Sequence, residues 1–61
     1  MWTVEYFCPM QSPDWQPSKD RTGQPKWFSD FRMACLEAQV VKPRHGSARV
    51  LNAWGVQVYI V

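Results

Sequence analysis

Hydrophobic and polar positions alternate along residues 2–8, Trp-Thr-Val-Glu-Tyr-Phe-Cys. Trp2, Val4, Tyr6 and Cys8 fall on one side, and Thr3 and Glu5 on the other. A period of two predicts a strand with one dry and one wet face, ended by Pro9. The period then changes. Phe31, Ala34, Cys35, Ala38 and Val41 recur at helical spacing, which predicts a helix over 29–42 with that stripe on the core. Ser29 reads as its N-cap, and Phe28 with Met33 as a hydrophobic staple. Asp30 and Lys42 sit at the ends that favour their charges. Pro43 is expected to stop the helix and Gly46 to turn the chain.

The last third predicts a hairpin. Residues 48–52 and 56–61 read as strands, joined by Asn52-Ala53-Trp54-Gly55. Asn first and Gly last fit a type I turn, with Gly55 in the left-handed position of a three-residue loop. Residues 9–26 differ in kind. Four of the five prolines (9, 13, 17 and 25) lie here among polar residues, with a turn at Asp20–Gly23. This reads as a long Pro-rich loop that Trp15 can pin to the domain, with a short irregular strand near 26–28 as an alternative.

The expected architecture is therefore α+β, a single domain over 1–61. One helix covers a three-stranded antiparallel sheet of order 1-3-2. The uncharged last strand is placed in the centre, where its apolar edge is hidden. The bare face of the sheet, with Phe7 and either Tyr59 or Val61, is a candidate homodimer surface. Trp2 and Trp27 are assigned to the core.

Composition narrows the function. A chain of 61 residues buries little surface, so it depends on few contacts. Four tryptophans are more than so small a core needs, and exposed Trp is favoured in binding surfaces. Charge is uneven: Lys42, Arg44 and Arg49 follow Glu37 with no acid among them. Neither a secretory signal pattern nor an apolar run of about 20 residues is present. A cytoplasmic protein that does not enter membranes is expected. Cys8 and Cys35 are expected as free thiols rather than a disulfide. Together with the lone His45 they fit no zinc spacing, and no cofactor or metal is expected.

Catalytic patterns are wanting. His45 and Ser47 have a glycine between them and no orienting partner, and the carboxylates are scattered. The expectation is a non-enzymatic binding protein. Its candidate contact residues are Trp54, the basic stretch Lys42, Arg44, His45 and Arg49, and the loop residues Trp15, Lys19 and Arg21. Nucleic acid is the alternative partner, since basic and aromatic side chains together hold phosphates and bases. A structural or assembly role is the third reading.

The run Phe28-Ser29-Asp30-Phe31-Arg32-Met33-Ala34 to Ala38, followed by Ala48-Arg49-Val50-Leu51-Asn52-Ala53-Trp54-Gly55-Val56, resembles small accessory proteins of bacteriophages. In these a strand precedes an Ala-rich helix, and an Arg-Val hairpin closes the chain. The resemblance covers residues 27–61 and the first strand. It implies a viral protein made in the bacterial cytoplasm that binds a host protein or complex, the host-takeover and anti-defence class that includes anti-CRISPR proteins. It carries no catalytic or binding residue across.

Overall fold

The structure is a computed structural model that describes the backbone of residues 1–61 and every side chain except those of Arg44 and His45. It contains β1 (Thr3–Phe7), β2 (Gln16–Pro17), α1 (Phe31–His45), β3 (Ser47–Leu51) and β4 (Gln57–Ile60). The strands form one antiparallel sheet of order β2-β1-β3-β4, and α1 packs across β1 and β3.

This corrects the three-stranded expectation twice. First, β2 comes out of the Pro-rich loop. Glu5 pairs with Pro17 and Tyr6 with Gln16, and the Ser18 N–H donates to the Val4 carbonyl at 2.8 Å. Two residues show no periodicity, so nothing local announces them. Second, the order is not 1-3-2. The hairpin's first strand lies beside β1, and its last strand is an edge. The central place goes to β3, which carries the charge of Arg49. Arg49 stands directly opposite Glu5, however, and donates from Nε and Nη2 to Glu5 Oε1 at 3.0 and 2.7 Å. A cross-strand ion pair lets a charged residue occupy a central strand.

The core lies between α1 and the sheet. Val4, Ala34, Ala38, Val41, Ala48 and Val50 are buried, with Trp2, Tyr6, Phe28, Cys35, Tyr59 and Val61 packed around them. The alanines bring the helix close to the strands. Phe31, the first residue of the expected stripe, is partly exposed but lies against Trp2 with tilted rings and meets Tyr59 edge-on. Tyr59 and Val61 therefore belong to the helix side, not to the bare face expected to carry one of them with Phe7. Trp27 was assigned to the core and is instead exposed, while its neighbour Phe28 turns inward and exchanges backbone hydrogen bonds with Trp2.

The helix starts and ends later than its pattern predicts. Asp30, not Ser29, is the N-cap, and its carboxylate accepts from the Arg32 N–H at 2.9 Å. That moves the staple positions to Ser29 and Ala34, and Met33 faces solvent. Pro43 lies inside the last turn rather than ending the helix. The end is made by Gly46 at φ 103°, whose N–H donates to the Lys42 carbonyl at 2.7 Å. A Cβ at Gly46 would sit 3.4 Å from the Phe7 carbonyl oxygen. Gly46→Ala is expected to cost about 1–2 kcal/mol, because an L residue is strained there. Thermal unfolding by circular dichroism should show a loss of roughly 5–10 °C.

The hairpin loop follows its expected chemistry. The Gly55 N–H donates to the Asn52 carbonyl at 3.0 Å, and Gly55 has φ 77°. Asn52 Oδ1 accepts from the N–H groups of Trp54 and Val56 at 2.9 and 3.0 Å. Among the described residues no helix is long and apolar enough to cross a membrane.

Candidate protein-binding surface

The Asn52 side chain satisfies the backbone of its own turn. The turn is thereby fixed without help from the core, and Trp54 stands at its tip, 85% exposed. Val56 continues the apolar surface from the tip toward β4. An indole held on a hydrogen-bonded turn loses little freedom when it docks, which is the property that makes Trp an effective anchor.

The other candidate contact residues divide into groups. Trp15 and Arg49 are together, but they serve the fold. The Arg49 guanidinium lies over the Trp15 ring, 4.2 Å from its centroid, and Trp15 packs on Phe7 at 5.6 Å. With the Glu5–Arg49 pair this makes a stack on the sheet face opposite the helix. The Pro-rich loop is pinned there by Trp15, as its place in the sequence suggested. Lys19 and Arg21 are exposed beyond β2, at the edge opposite β4. Lys19 precedes, and Arg21 lies within, a turn in which Asp20 Oδ1 accepts from Thr22 Oγ1 at 2.7 Å and from the N–H groups of Thr22 and Gln24. The Thr22 hydroxyl holds the Asp20 carboxyl below the usual carboxylate range, with the backbone N–H groups adding to the effect. Lys42 is exposed near the end of α1, which joins the end of β3 away from the hairpin tip. The side chains of Arg44 and His45 lie outside the described residues. Among the described side chains the candidates thus do not converge on one surface, and Trp54 is separated from Lys19, Arg21 and Lys42 by the length or width of the sheet.

A shallow cleft of about 290 Å³ opens between β2 and α1, lined in part by Tyr6, Ser18, Lys26, Glu37 and Val41. Its polar groups tie the loop to the helix. Ser18 is buried and donates from Oγ to Glu37 Oε2 at 2.7 Å, and Lys26 Nζ donates to the same oxygen at 3.0 Å. A serine whose proton is committed to a carboxylate already holding a lysine is arranged for cohesion.

Cys8 and Cys35 are both free and half-buried, and burial pushes the Cys35 thiol up. Among the described residues no three His, Cys, Asp or Glu side chains gather in a way that could hold a metal ion.

Two apolar features were not anticipated. Val58 and Ile60 are exposed on β4, and Met33, Leu36 and Val40 form a row on the outer side of α1. The row was readable, because its spacing of i, i+3 and i+7 is a second helical stripe opposite the first. The exposure of β4 depended on the strand order. No protein-family model, curated protein or solved structure matches the chain.

Proposed function

We propose that this chain is a non-catalytic binding domain that engages a partner protein through the β3–β4 hairpin tip, with Trp54 as the anchor. The observation that carries this reading is a tryptophan 85% exposed on a turn fixed by its own hydrogen bonds. A large apolar side chain in that position adds nothing to the core and raises the tendency to associate. The resemblance to bacteriophage accessory proteins supports a specific form of the proposal. The partner is then a host bacterial protein or complex in the cytoplasm, bound stoichiometrically and so inhibited or redirected. Protein is preferred to nucleic acid because Arg49 is committed to Glu5 and Trp15, which thins the basic stretch.

The test is a comparison of the tagged wild type with Trp54→Ala in a bacterial lysate treated with nuclease. Wild type should retain a protein in near-equal amount. Trp54→Ala should bind that protein about 30-fold more weakly, the equivalent of a 2 kcal/mol anchor, with an unchanged melting temperature. Equal retention by both chains would remove the hairpin tip from the interface, and loss of every partner on nuclease treatment would transfer the function to nucleic acid.

A further inference from the structure

Trp27 adds nothing to the core, yet its neighbours fix where it points. Lys26 reaches Glu37 of α1, and Phe28 packs on the core cluster, so both face the helix. Trp27 lies between them and therefore projects from the other face of the sheet, 60% exposed. Trp2 and Phe28 exchange backbone hydrogen bonds of 2.8 Å in antiparallel pairing, which sets Trp27 across from Thr3. Two positions further along β1, Glu5 stands between Pro17 and Arg49. Directly opposed residues share a face, so Trp27, Thr3, Pro17, Glu5 and Arg49 lie on one surface opposite α1. This surface presents polar groups around one indole. Leu51, the other neighbour of Thr3, is buried, and Phe7 is half-buried against Trp15. The Glu5–Arg49 pair is neutral as a unit and keeps unused hydrogen-bonding atoms. Its bonds run from Nε and Nη2 to Oε1, so among the described residues Oε2 remains as an acceptor and Nη1 as a donor. The two side chains keep 22% and 25% of their surface open, and the Trp15 ring against the guanidinium holds the pair in place.

We propose that this face binds a neutral saccharide, with a sugar ring stacked on the Trp27 indole and its hydroxyls held by Glu5 Oε2, Arg49 Nη1 and the Thr3 hydroxyl. The exposed groups select that class. A sugar ring pairs an apolar C–H face with neighbouring hydroxyls, each both donor and acceptor. An open indole beside a fixed acceptor and a fixed donor is the complement of that pattern. Diagonal neighbours across an antiparallel pair are about 7–8 Å apart, within the span of one sugar ring and its hydroxyls. A nucleic acid calls for an excess of basic groups, and here the charges cancel. A proline-rich peptide brings mainly carbonyl acceptors and would leave the Glu5 carboxylate without a donor. Trp54 has no part in this site, so it stands or fails separately from the partner contact at the hairpin tip.

Two-dimensional NMR of the isotope-labelled chain tests the proposal, with maltotetraose, cellotetraose, mannotetraose and chitotetraose as probes, each raised to about 10 mM. At least one is expected to shift the Trp27 indole N–H and the Glu5 and Arg49 amides saturably, with a dissociation constant of about 0.1–5 mM, as a shallow site allows. Trp27→Ala should weaken that binding by about tenfold or more with unchanged circular dichroism. Trp27→Phe keeps a ring and should recover part of the loss, and Leu36→Lys on the outer row of α1 should bind as wild type does. Decathymidylate and a proline decamer are titrated in parallel. Failure of all four sugars to shift Trp27 would overturn the proposal. So would sugar shifts confined to Trp54 or to the cleft between β2 and α1, or binding that survives Trp27→Ala in folded protein. Tighter binding of decathymidylate or the proline decamer than of every sugar at Trp27 would assign the face to that ligand instead.

Discussion

Trp15→Ala is expected to release the Pro-rich loop from the sheet and to lower stability by roughly 2–3 kcal/mol, somewhat less than a fully buried Trp would cost. Three contacts fail together. Phe7 loses its ring partner at 5.6 Å, and Arg49 loses the surface 4.2 Å beneath its guanidinium. The Glu5–Arg49 pair also becomes more exposed to water, where an ion pair contributes little. For a domain of this size the melting temperature should fall by roughly 10–20 °C. Exchange protection at the Ser18 N–H, which donates to Val4, should fall by more than that of the β1–β3 ladder. Uniform loss along the whole sheet would mean that Trp15 supports the entire domain and not the loop in particular. Arg49→Lys tests the same stack by charge and shape. The ammonium keeps the charge but not the planar surface over the indole, so this variant should fall between wild type and Trp15→Ala.

The second large effect is expected on the opposite side of the same loop. Glu37→Ala leaves the buried Ser18 hydroxyl without its acceptor at 2.7 Å and takes from Lys26 its ion-pair partner at 3.0 Å. An orphaned buried hydroxyl costs about 1–3 kcal/mol, more than an exposed ion pair contributes. Glu37→Gln keeps an oxygen that can accept from Ser18 and removes only the charge. It should therefore retain most of the stability that Glu37→Ala loses. Urea unfolding of the two variants separates the roles. If Gln costs as much as Ala, the charge on Glu37 matters more than its place as the Ser18 acceptor. Both substitutions spare the hairpin tip, so partner binding through Trp54 should change only to the extent that the chain unfolds.

These contacts also mark the limits of what the sequence alone reveals. The first strand, read over 2–8 and formed over Thr3–Phe7, the stripe of Ala34, Ala38 and Val41, and the Asn52–Gly55 turn were legible because each depends on neighbours within a few positions. Strand order was not. It turns on the meeting of Glu5 with Arg49, 44 positions later, and no local pattern announces that pair. The helix start was off for a smaller reason: Ser29 and Asp30 are adjacent and both make good caps. Pro43 was read as a stop, yet a proline in the last turn disrupts less than one in mid-helix. Of the candidate contact residues, Trp54 stood out because its turn chemistry fixes it at a tip. Arg49 and Trp15 looked equally suited to a partner, and only the register of β1 against β3 gives them to each other.

The position of β1 has a kinetic consequence. It is first in the chain, and it stands between β2 and β3. Its partner in the core, Val50, is 46 residues away and completes the surface on which the alanine stripe of α1 rests. Until β3 is in place, the helix has only half a sheet to cover and the Trp15 stack lacks its arginine. The most stabilising pairing is thus the least local one, and local segments gain little by forming early. Topologies of this kind pay the entropy of a long closure before most contacts repay it, which slows folding and makes it all-or-none. A nascent chain would gain its cooperative unit in one late step, when the segment around Val50 becomes free to pair.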